Sequence, residues 1–506
     1  MTLNEIVRKA AEENGKKVFL KYNKDKKTFA ETFVRIKAAA KGMQELGIKK
    51  GDKVAVLLIN SPEFIYTYFG AVMAGAEVVP LNTFLRLDEI VYIMDDCKAK
   101  ILVTSSDFNK VLSGFSKNRV QSLEYLVSIN ELSGIKHIKF NEMCKEGEPD
   151  EIKADENDTA VIIYTSGTTG RPKGAVLTHK NLVSNVEGAK TAIHIKKSDK
   201  FIIFLPMFHA FSFTVCVLLP YYMQVSLTII KSIQPFSNIL KAVAKDRISV
   251  FVAIPQVYNV LAGKKIPKFI LWLNPIRICV SGAAPLSGEV LKKFEEKIKV
   301  PLLEGYGLSE TSPVVSVNPL DKTRKQGSVG LPLPKVKVRI VDETGKETQT
   351  GETGEILVKG PNVMKGYFNK PEETNETIKD GWLYTGDIGK VDEDGYLYIV
   401  DRKKDLILVN GMNLYPREVE EILYMHSAVE EASVVGKKDE LHGEVPVGVI
   451  KLKEGAAVSE SELKKFCRQY IANFKVPHKF EFWEELPRTG TGKILKREIK
   501  RLINEK

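Results

Sequence analysis

Two stretches of small, hydroxylated and basic residues carry the clearest chemical potential in this 506-residue sequence. Tyr164-Thr-Ser-Gly-Thr-Thr-Gly-Arg-Pro-Lys-Gly174 contains glycines that let backbone N–H groups approach a polyphosphate. The hydroxyls of Thr165, Ser166, Thr168 and Thr169 can donate to phosphate oxygens, and Lys173 adds charge. Near the other end, Pro487-Arg-Thr-Gly-Thr-Gly-Lys493 repeats the pairing of glycine with lysine. Neither fits the P-loop pattern GxxxxGK[ST]. Counting from Gly167, Pro172 stands where the second glycine is required, and Gly174 follows Lys173 in place of a hydroxyl residue. In the second stretch Pro487 replaces the first glycine and Ile494 the hydroxyl residue. Taken singly, either stretch reads equally well as an ordinary turn.

The elements that must position these residues alternate between helix and strand. Thr28 and Glu31 form a capping box for a helix that carries Phe33, Ile36, Ala40 and Met43 on one face and ends at Gly47. Val54–Ile59 predicts a buried strand, Ser61-Pro62 the start of a helix running through Met73, and Glu77–Pro80 a second strand, which together make a β-α-β unit. Ile101–Thr104, Val161–Tyr164, Val250–Ala253 and Arg277–Val280 are further buried strands, so parallel sheets covered on both faces are expected. The Tyr164–Gly174 stretch follows the second of these and precedes a helix starting near Thr178. From about Gly327 the texture shifts to short strands, Val336–Val341, Gly354–Val358 and Tyr396–Val400, with turns at Asp342–Gly345 and Asp392–Gly395. Five consecutive charges at Asp401–Asp405 suit an interdomain joint or an ordinary charged turn. Helices at Pro416–Met425 and Glu460–Ala472 complete a small α+β module. The expected class is α/β in a multidomain chain, with parallel-rich β-α-β sheets and a small β subdomain ahead of that module.

Composition narrows the function classes. At roughly 150 residues per domain the chain holds two or three domains. Its 43% hydrophobic and 27% charged residues exclude wholesale disorder and disulfide scaffolds. The net charge of +11 raises nucleic acid as a partner, but it is spread along the chain: 20 basic against 17 acidic residues from Arg402 onward, 55 against 47 before. A solvated basic surface is expected and no nucleic acid partner. Cys97, Cys144, Cys216, Cys279 and Cys467 are odd in number and lack CxxC spacing, which points to a reducing, cytoplasmic setting. Between Lys200 and Lys231 thirty residues contain no Asp, Glu, Lys or Arg, longer than the roughly 20 apolar residues a bilayer needs. Pro206 and Pro220 divide this run, however, and His209 and Gln224 are polar, so a buried strand-helix-strand segment is expected instead of a transmembrane segment.

Further segments join the two glycine-rich stretches in a fixed order: Pro206-Met-Phe-His-Ala210, Gly282-Ala-Ala-Pro285, Gly305-Tyr-Gly-Leu-Ser-Glu-Thr311, Gly327-Ser-Val-Gly-Leu-Pro332, Tyr384-Thr-Gly-Asp-Ile-Gly389 and Asp401-Arg-Lys-Lys-Asp-Leu-Ile407. In this set and order the sequence resembles the adenylate-forming superfamily of acyl-CoA synthetases, peptide-synthetase adenylation domains and luciferases, and within it the bacterial medium- and long-chain fatty acid–CoA ligases. The resemblance implies an adenylation body over residues 1–400 and a small mobile domain over 401–506. It also implies two half-reactions: a carboxylate attacks the α-phosphate of Mg-ATP, then the thiol of coenzyme A attacks the acyl carbon and releases AMP.

By the same resemblance, Glu310 and Thr165 meet Mg2+, and Thr165, Ser166, Gly167, Thr168, Thr169 and Lys173 the phosphates. Tyr306 stacks on adenine, with Gly305 and Gly307 beside it, and Ser309 keeps the hydroxyl of a position where many relatives have threonine. Gly282, Ala283 and Ala284 leave room for the base and the acyl head. Asp387 and Arg402 take the ribose, and Asp401 is the hinge. Lys493 bridges the attacking carboxylate and the α-phosphate, where charge builds in the transition state. After rotation of the small domain, Gly411 and His209 line the thiol tunnel, although Asn410 stands where relatives usually have a first glycine.

The acid itself is read from the segment after Phe204. It contains no carboxylate to pair with a substrate ammonium, which disfavours an amino acid. Phe208, Phe211, Phe213 and Val215 offer apolar area, and each buried CH2 is worth about 0.8 kcal/mol. A medium or long fatty acid is the expected small-molecule carboxylic acid, with an aryl acid, or a carrier protein as thiol, as alternatives. His209 suits gating or orienting the acid, and equally a packed structural role. Peripheral membrane association and a homodimer stay compatible with the sequence.

Overall fold

The computed structural model describes residues 1–166, 171–264, 274–439, 441, 443–488 and 494–505. Two large mixed sheets form the body. The first has the order Gly366–Tyr367, Pro172–Thr178, Thr159–Ser166, Glu77–Pro80, Lys53–Val56, Ala99–Thr104, Tyr125–Ser128, Ile138–Lys139. It is parallel from Thr159–Ser166 to its far edge and antiparallel at the first two strands. In the second, Leu302–Gly307, Ile278–Ser281, Val250–Ala253, Lys200–Ile203, Ser226–Ile229 and Val18–Tyr22 run parallel. Its outer strands Val314–Val317, Leu331–Pro332 and Asp25–Thr28 are antiparallel. The predicted parallel-rich class holds, with antiparallel edges that place residues of the site.

Helix Pro62–Met73 is capped by Ser61 Oγ on the Phe64 N–H and is buried at every residue from Phe64 to Met73, so it lies deep in the body. Gly70 permits its contact with the preceding helix Phe29–Glu45: a Cβ there would sit 2.8 Å from that of Ala39. Thr28 and Glu31 make the expected capping box. The uncharged run between Lys200 and Lys231 is a strand, a helical stretch from Ala210 to Met223 with a π-turn at Thr214–Leu218, and a strand, as predicted. Among the described residues no helix is long and apolar enough to cross a membrane.

The short strands after Gly327 form a separate antiparallel sheet of Lys337–Val341, Gly354–Lys359, Trp382–Val391, Ile378–Lys379 and Leu397–Arg402. After a 3-10 turn at Lys403–Asp405 the chain enters a last sheet of Met412–Leu414, Ile407–Val409, Gly443–Leu452, Val429–Asp439 and Lys479–Phe482. Helices Pro416–Met425, Glu460–Cys467 and Lys496–Asn504 belong to this module. Among the described residues, its apolar clusters draw only on positions from Ile407 onward and those of the body only on positions up to Ile399. All five cysteines are free thiols.

Candidate functional site

Thr159–Ser166 and Pro172–Thr178 form an antiparallel hairpin whose register sets Thr165 opposite Lys173 and Tyr164 opposite Gly174. This corrects the expectation that the stretch leads directly from strand to helix. A second strand intervenes, and helix His179–Ala192 begins only after it, capped by Thr178. Gly174 is required here, since a Cβ would meet the Tyr164 ring at 3.1 Å and Ile162 at 2.6 Å. The tip residues Gly167, Thr168 and Thr169 lie outside the described residues, and of Ser166 only the backbone is described.

The strand Leu302–Gly307 delivers the next group. Gly307 lies so close to the returning chain that a Cβ would overlap the Pro313 carbonyl, and the 3-10 turn Ser309–Thr311 follows. Thr311 is buried and ties this turn down through its hydroxyl, which meets the Leu308 and Pro313 carbonyls at 3.0 and 2.5 Å. Glu310, between Ser309 and Thr311, is thereby aimed across the sheet edge. Its Oε1 accepts from Thr165 Oγ1 at 3.4 Å and from the Tyr367 hydroxyl at 3.1 Å. Lys173 Nζ lies 5.5 Å from the centre of the Tyr367 ring, a cation–π contact. Tyr367, which belongs to none of the segments singled out in the sequence, thus links Thr165, Lys173 and Glu310. The available signal was the Gly366-Tyr367 dipeptide, but its pairing with Ala175 and Val176 spans 190 residues of sequence.

A second cluster lies where the second large sheet meets the small one. The Tyr306 hydroxyl donates to Asp387 Oδ2 at 2.6 Å, and Arg402 Nε contacts Oδ1 at 3.1 Å. Asp387 and Arg402 face one another on paired strands, so the sheet register sets this contact. Asp387 is 3% exposed and Arg402 projects to solvent. Burial and the Asp387 charge push the Tyr306 phenol well above its ordinary value, and the same charge raises Arg402. Both carboxylate oxygens expected to take a sugar thus hold protein partners. Glu355, missed in the sequence, supports the strand just before Asp387: it accepts from Gly386 N at 3.1 Å and pairs with Lys403 at 2.8 Å.

On the acyl side, Gly282, Ala283 and Ala284 follow strand Ile278–Ser281, with Ala283 at φ +67°. The Phe211 ring packs directly against Gly282, where a Cβ would lie 2.7 Å from Phe211 Cζ. His209 caps the helix that holds Phe211, its Nδ1 accepting from the Phe211 N–H at 3.3 Å, so the neutral ring carries its proton on Nε2. Phe208 lines a narrow apolar cleft with Pro80, Ile163, Met207 and Ala210, and its outer edge meets Phe84. Phe213 lines the same cleft and packs on Phe64, Tyr68 and Phe69, while Val215 is buried in the core.

At the joint, Asp401 Oδ2 accepts from Arg417 N at 2.7 Å, capping helix Pro416–Met425, and Arg417 Nη1 returns to the Ile399 carbonyl at 3.0 Å. Asn410 and Gly411, at φ +51° and +76°, form the two-residue turn of the hairpin that pairs Val409 with Met412. Such a turn requires positive φ at both positions, and Asn tolerates it best after Gly, which accounts for Asn410 at the place of a first glycine. Gly411 is exposed and separate from the clusters above. Lys493 lies outside the described residues. The candidate site thus brings hydroxyl, cation and carboxylate together at one sheet edge, and an aromatic–carboxylate–guanidinium cluster at the sheet junction.

The model described as AMP-binding enzyme matches residues 7–368, and that of the AMP-binding enzyme C-terminal domain matches residues 418–493. A long-chain-fatty-acid–CoA ligase of Bacillus subtilis (strain 168) is 36% identical, covering 98% of this chain and 94% of the relative. A feruloyl-CoA synthase of an Amycolatopsis species is 34% identical, covering 94% and 93%. Among solved structures, ATP-bound MatB from Rhodopseudomonas palustris superposes with a TM-score of 0.91 at 31% identity, covering 99% of each chain. The o-succinylbenzoate coenzyme A synthetase MenE of Bacillus subtilis, in complex with ATP and a magnesium ion, gives 0.84 at 30% identity, covering 98% and 99%.

Proposed function

This chain belongs to the AMP-binding enzymes of the adenylate-forming superfamily and is an acid–thiol ligase, and we propose that it joins a medium- or long-chain fatty acid to coenzyme A. The observation that carries the reading is the meeting of Thr165, Lys173 and Glu310 at one sheet edge, with Tyr306, Asp387 and Arg402 at the neighbouring junction. In the first half-reaction a carboxylate oxygen attacks the α-phosphorus of ATP and the bond to the β-phosphate bridging oxygen breaks, releasing pyrophosphate. In the second, the thiolate sulfur attacks the acyl carbon, the bond to the AMP oxygen breaks, and the thiol proton is lost to solvent.

The residues supply binding and charge. Lys173 and the hydroxyl of Thr165 hold phosphate oxygens, and Asp387 exchanges protein partners for ribose hydroxyls, with Arg402 beside it. Tyr306 lays its ring along the base. Glu310 and Thr165 form an oxygen donor set that suits Mg2+, and a bound Mg2+ supplies neutralisation of phosphate charge. Lys493 stabilises charge as the carboxylate reaches phosphorus. Gly411 and His209 border the pantetheine path in a second arrangement, in which a small domain over 401–506 turns about Asp401 against the body over 1–400. The separate apolar clusters on either side of the joint support that division.

The fatty acid reading draws on the long-chain relatives and on the uncharged wall from Phe204 to Ile230. An aryl acid is the second reading, favoured by the Phe211 ring seated on Gly282 and by the feruloyl-CoA synthase relative. A carboxylic-acid panel assayed for pyrophosphate release with and without coenzyme A decides between them. Medium or long acids are expected to give AMP and a thioester; higher kcat/KM on aromatic acids selects the second reading, and silence across the panel rejects both.

A further inference from the structure

Tyr367 is fixed from several directions. Its two-residue strand pairs with Ala175 and Val176 of the hairpin, Phe368 N donates to the Gly174 carbonyl at 2.7 Å, and Tyr367 N donates to Thr374 Oγ1 at 2.9 Å. Three residues earlier, Met364 N donates to the carbonyl of Glu310 at 2.8 Å. The backbone carrying Tyr367 is thus bound to the two elements that bring Lys173 and Glu310. Its hydroxyl and that of Thr165 both fall on Glu310 Oε1, and no described residue donates to Oε2.

We propose that Tyr367 is a positioning residue for the metal-binding carboxylate, its hydroxyl holding Glu310 Oε1 so that Oε2 is presented to the cation that accompanies ATP. This rests on the adenylation reading above. A carboxylate free to rotate must be ordered as the cation binds, whereas one already held by a rigid donor loses less entropy, and hydrogen-bonded partners of this kind commonly contribute ten-fold or more to metal affinity. The aromatic ring is not needed for this role, which separates it from the ring's contact with Lys173.

The test is Tyr367→Phe in the full chain, which deletes one oxygen and keeps the ring. ATP is titrated calorimetrically with Mg2+ and, separately, with EDTA. The variant is expected to lose about ten-fold in affinity for ATP with Mg2+ and to match the unaltered protein in EDTA. In a Glu310→Gln background the same change is expected to cost less than about two-fold, because the residue acts through that carboxylate. Unchanged affinity with Mg2+, an equal loss with and without it, or an undiminished effect beside Glu310→Gln overturns the proposal. If the unaltered protein turns over an acid and Tyr367→Phe matches it in all titrations, this proposal alone fails. If the unaltered protein neither binds ATP nor releases pyrophosphate with any acid, the adenylation reading fails and takes this proposal with it.

Discussion

Glu304 and Asp387 are both almost fully buried carboxyl groups near the candidate site, and their surroundings treat them differently. Asp387 has a phenol on one oxygen and a guanidinium on the other, the partners a buried anion requires. Glu304 accepts the Leu286 N–H at 3.0 Å, while the charge of Arg417 favours and that of Glu421 opposes its ionisation. Burial outweighs these and pushes its carboxyl up to about 7 from an ordinary 4.5. The folded state therefore binds a proton that the unfolded chain has released, and the associated stability is complete below pH 4.5 and is lost as pH rises through about 7. Glu304→Gln keeps an acceptor for Leu286 and removes the titration. Denaturant unfolding should find the variant more stable at pH 8, by at most about 3 kcal/mol, with the gap closing toward pH 5. A gap of the same size at both pH values would show that the carboxyl does not titrate in this window.

At the level of elements, local signals were readable and distant pairings were not. The Thr28 capping box, the Ser61-Pro62 helix start and the strand Val250–Ala253 fall where the residues predicted, because each depends on near neighbours. The strand Pro172–Thr178 was hidden behind a Pro-Lys-Gly opening and a strong cap at Thr178, and one of its partners, Gly366–Tyr367, lies far along the chain. Tyr367 was missed for the same reason, whereas Thr165, Lys173 and Glu310 lie inside recognisable motifs. The helix starting at Glu460 stops at Cys467 rather than Ala472, since the Gln469 and Tyr470 N–H groups turn back only three residues, to the Phe466 and Cys467 carbonyls. Helix and strand also meet at Gly282, where the Phe211 ring fills the space of a missing Cβ. Gly282→Ala should cost about 1–3 kcal/mol in denaturant unfolding as the ring is forced aside. Beside Phe211→Ala the same change should cost less than about 0.5 kcal/mol, since nothing is left to clash. Additive losses in the double variant would mean that the two groups do not compete for that space.

Over the whole molecule, the net charge of +11 is spread along the sequence, and the adenylation reading proposed above draws on only three of the cations, Lys173, Arg402 and Lys493. By sequence position Lys173 falls in the body, Arg402 at the joint itself and Lys493 beyond it. Across the joint, Asp401 holds the Arg417 N–H and Arg417 reaches back to Ile399, so the first helix of the module is tied at its N-terminus to the last strand of the body. A rotation about this point would carry the small module without disturbing the body's packing, because among the described residues the module's apolar clusters are its own. If Lys493 serves only the arrangement in which the acid meets ATP, then Lys493→Ala should lower acyl-AMP formation by at least about 100-fold, the scale of losing one charge aimed at a transition state. Thioester formation from supplied acyl-AMP should stay within about three-fold of the unaltered protein, because that step uses the other arrangement. Pyrophosphate release and single-turnover thioester formation measure the two separately, and an equal loss in both would contradict a division of labour between two positions of the module.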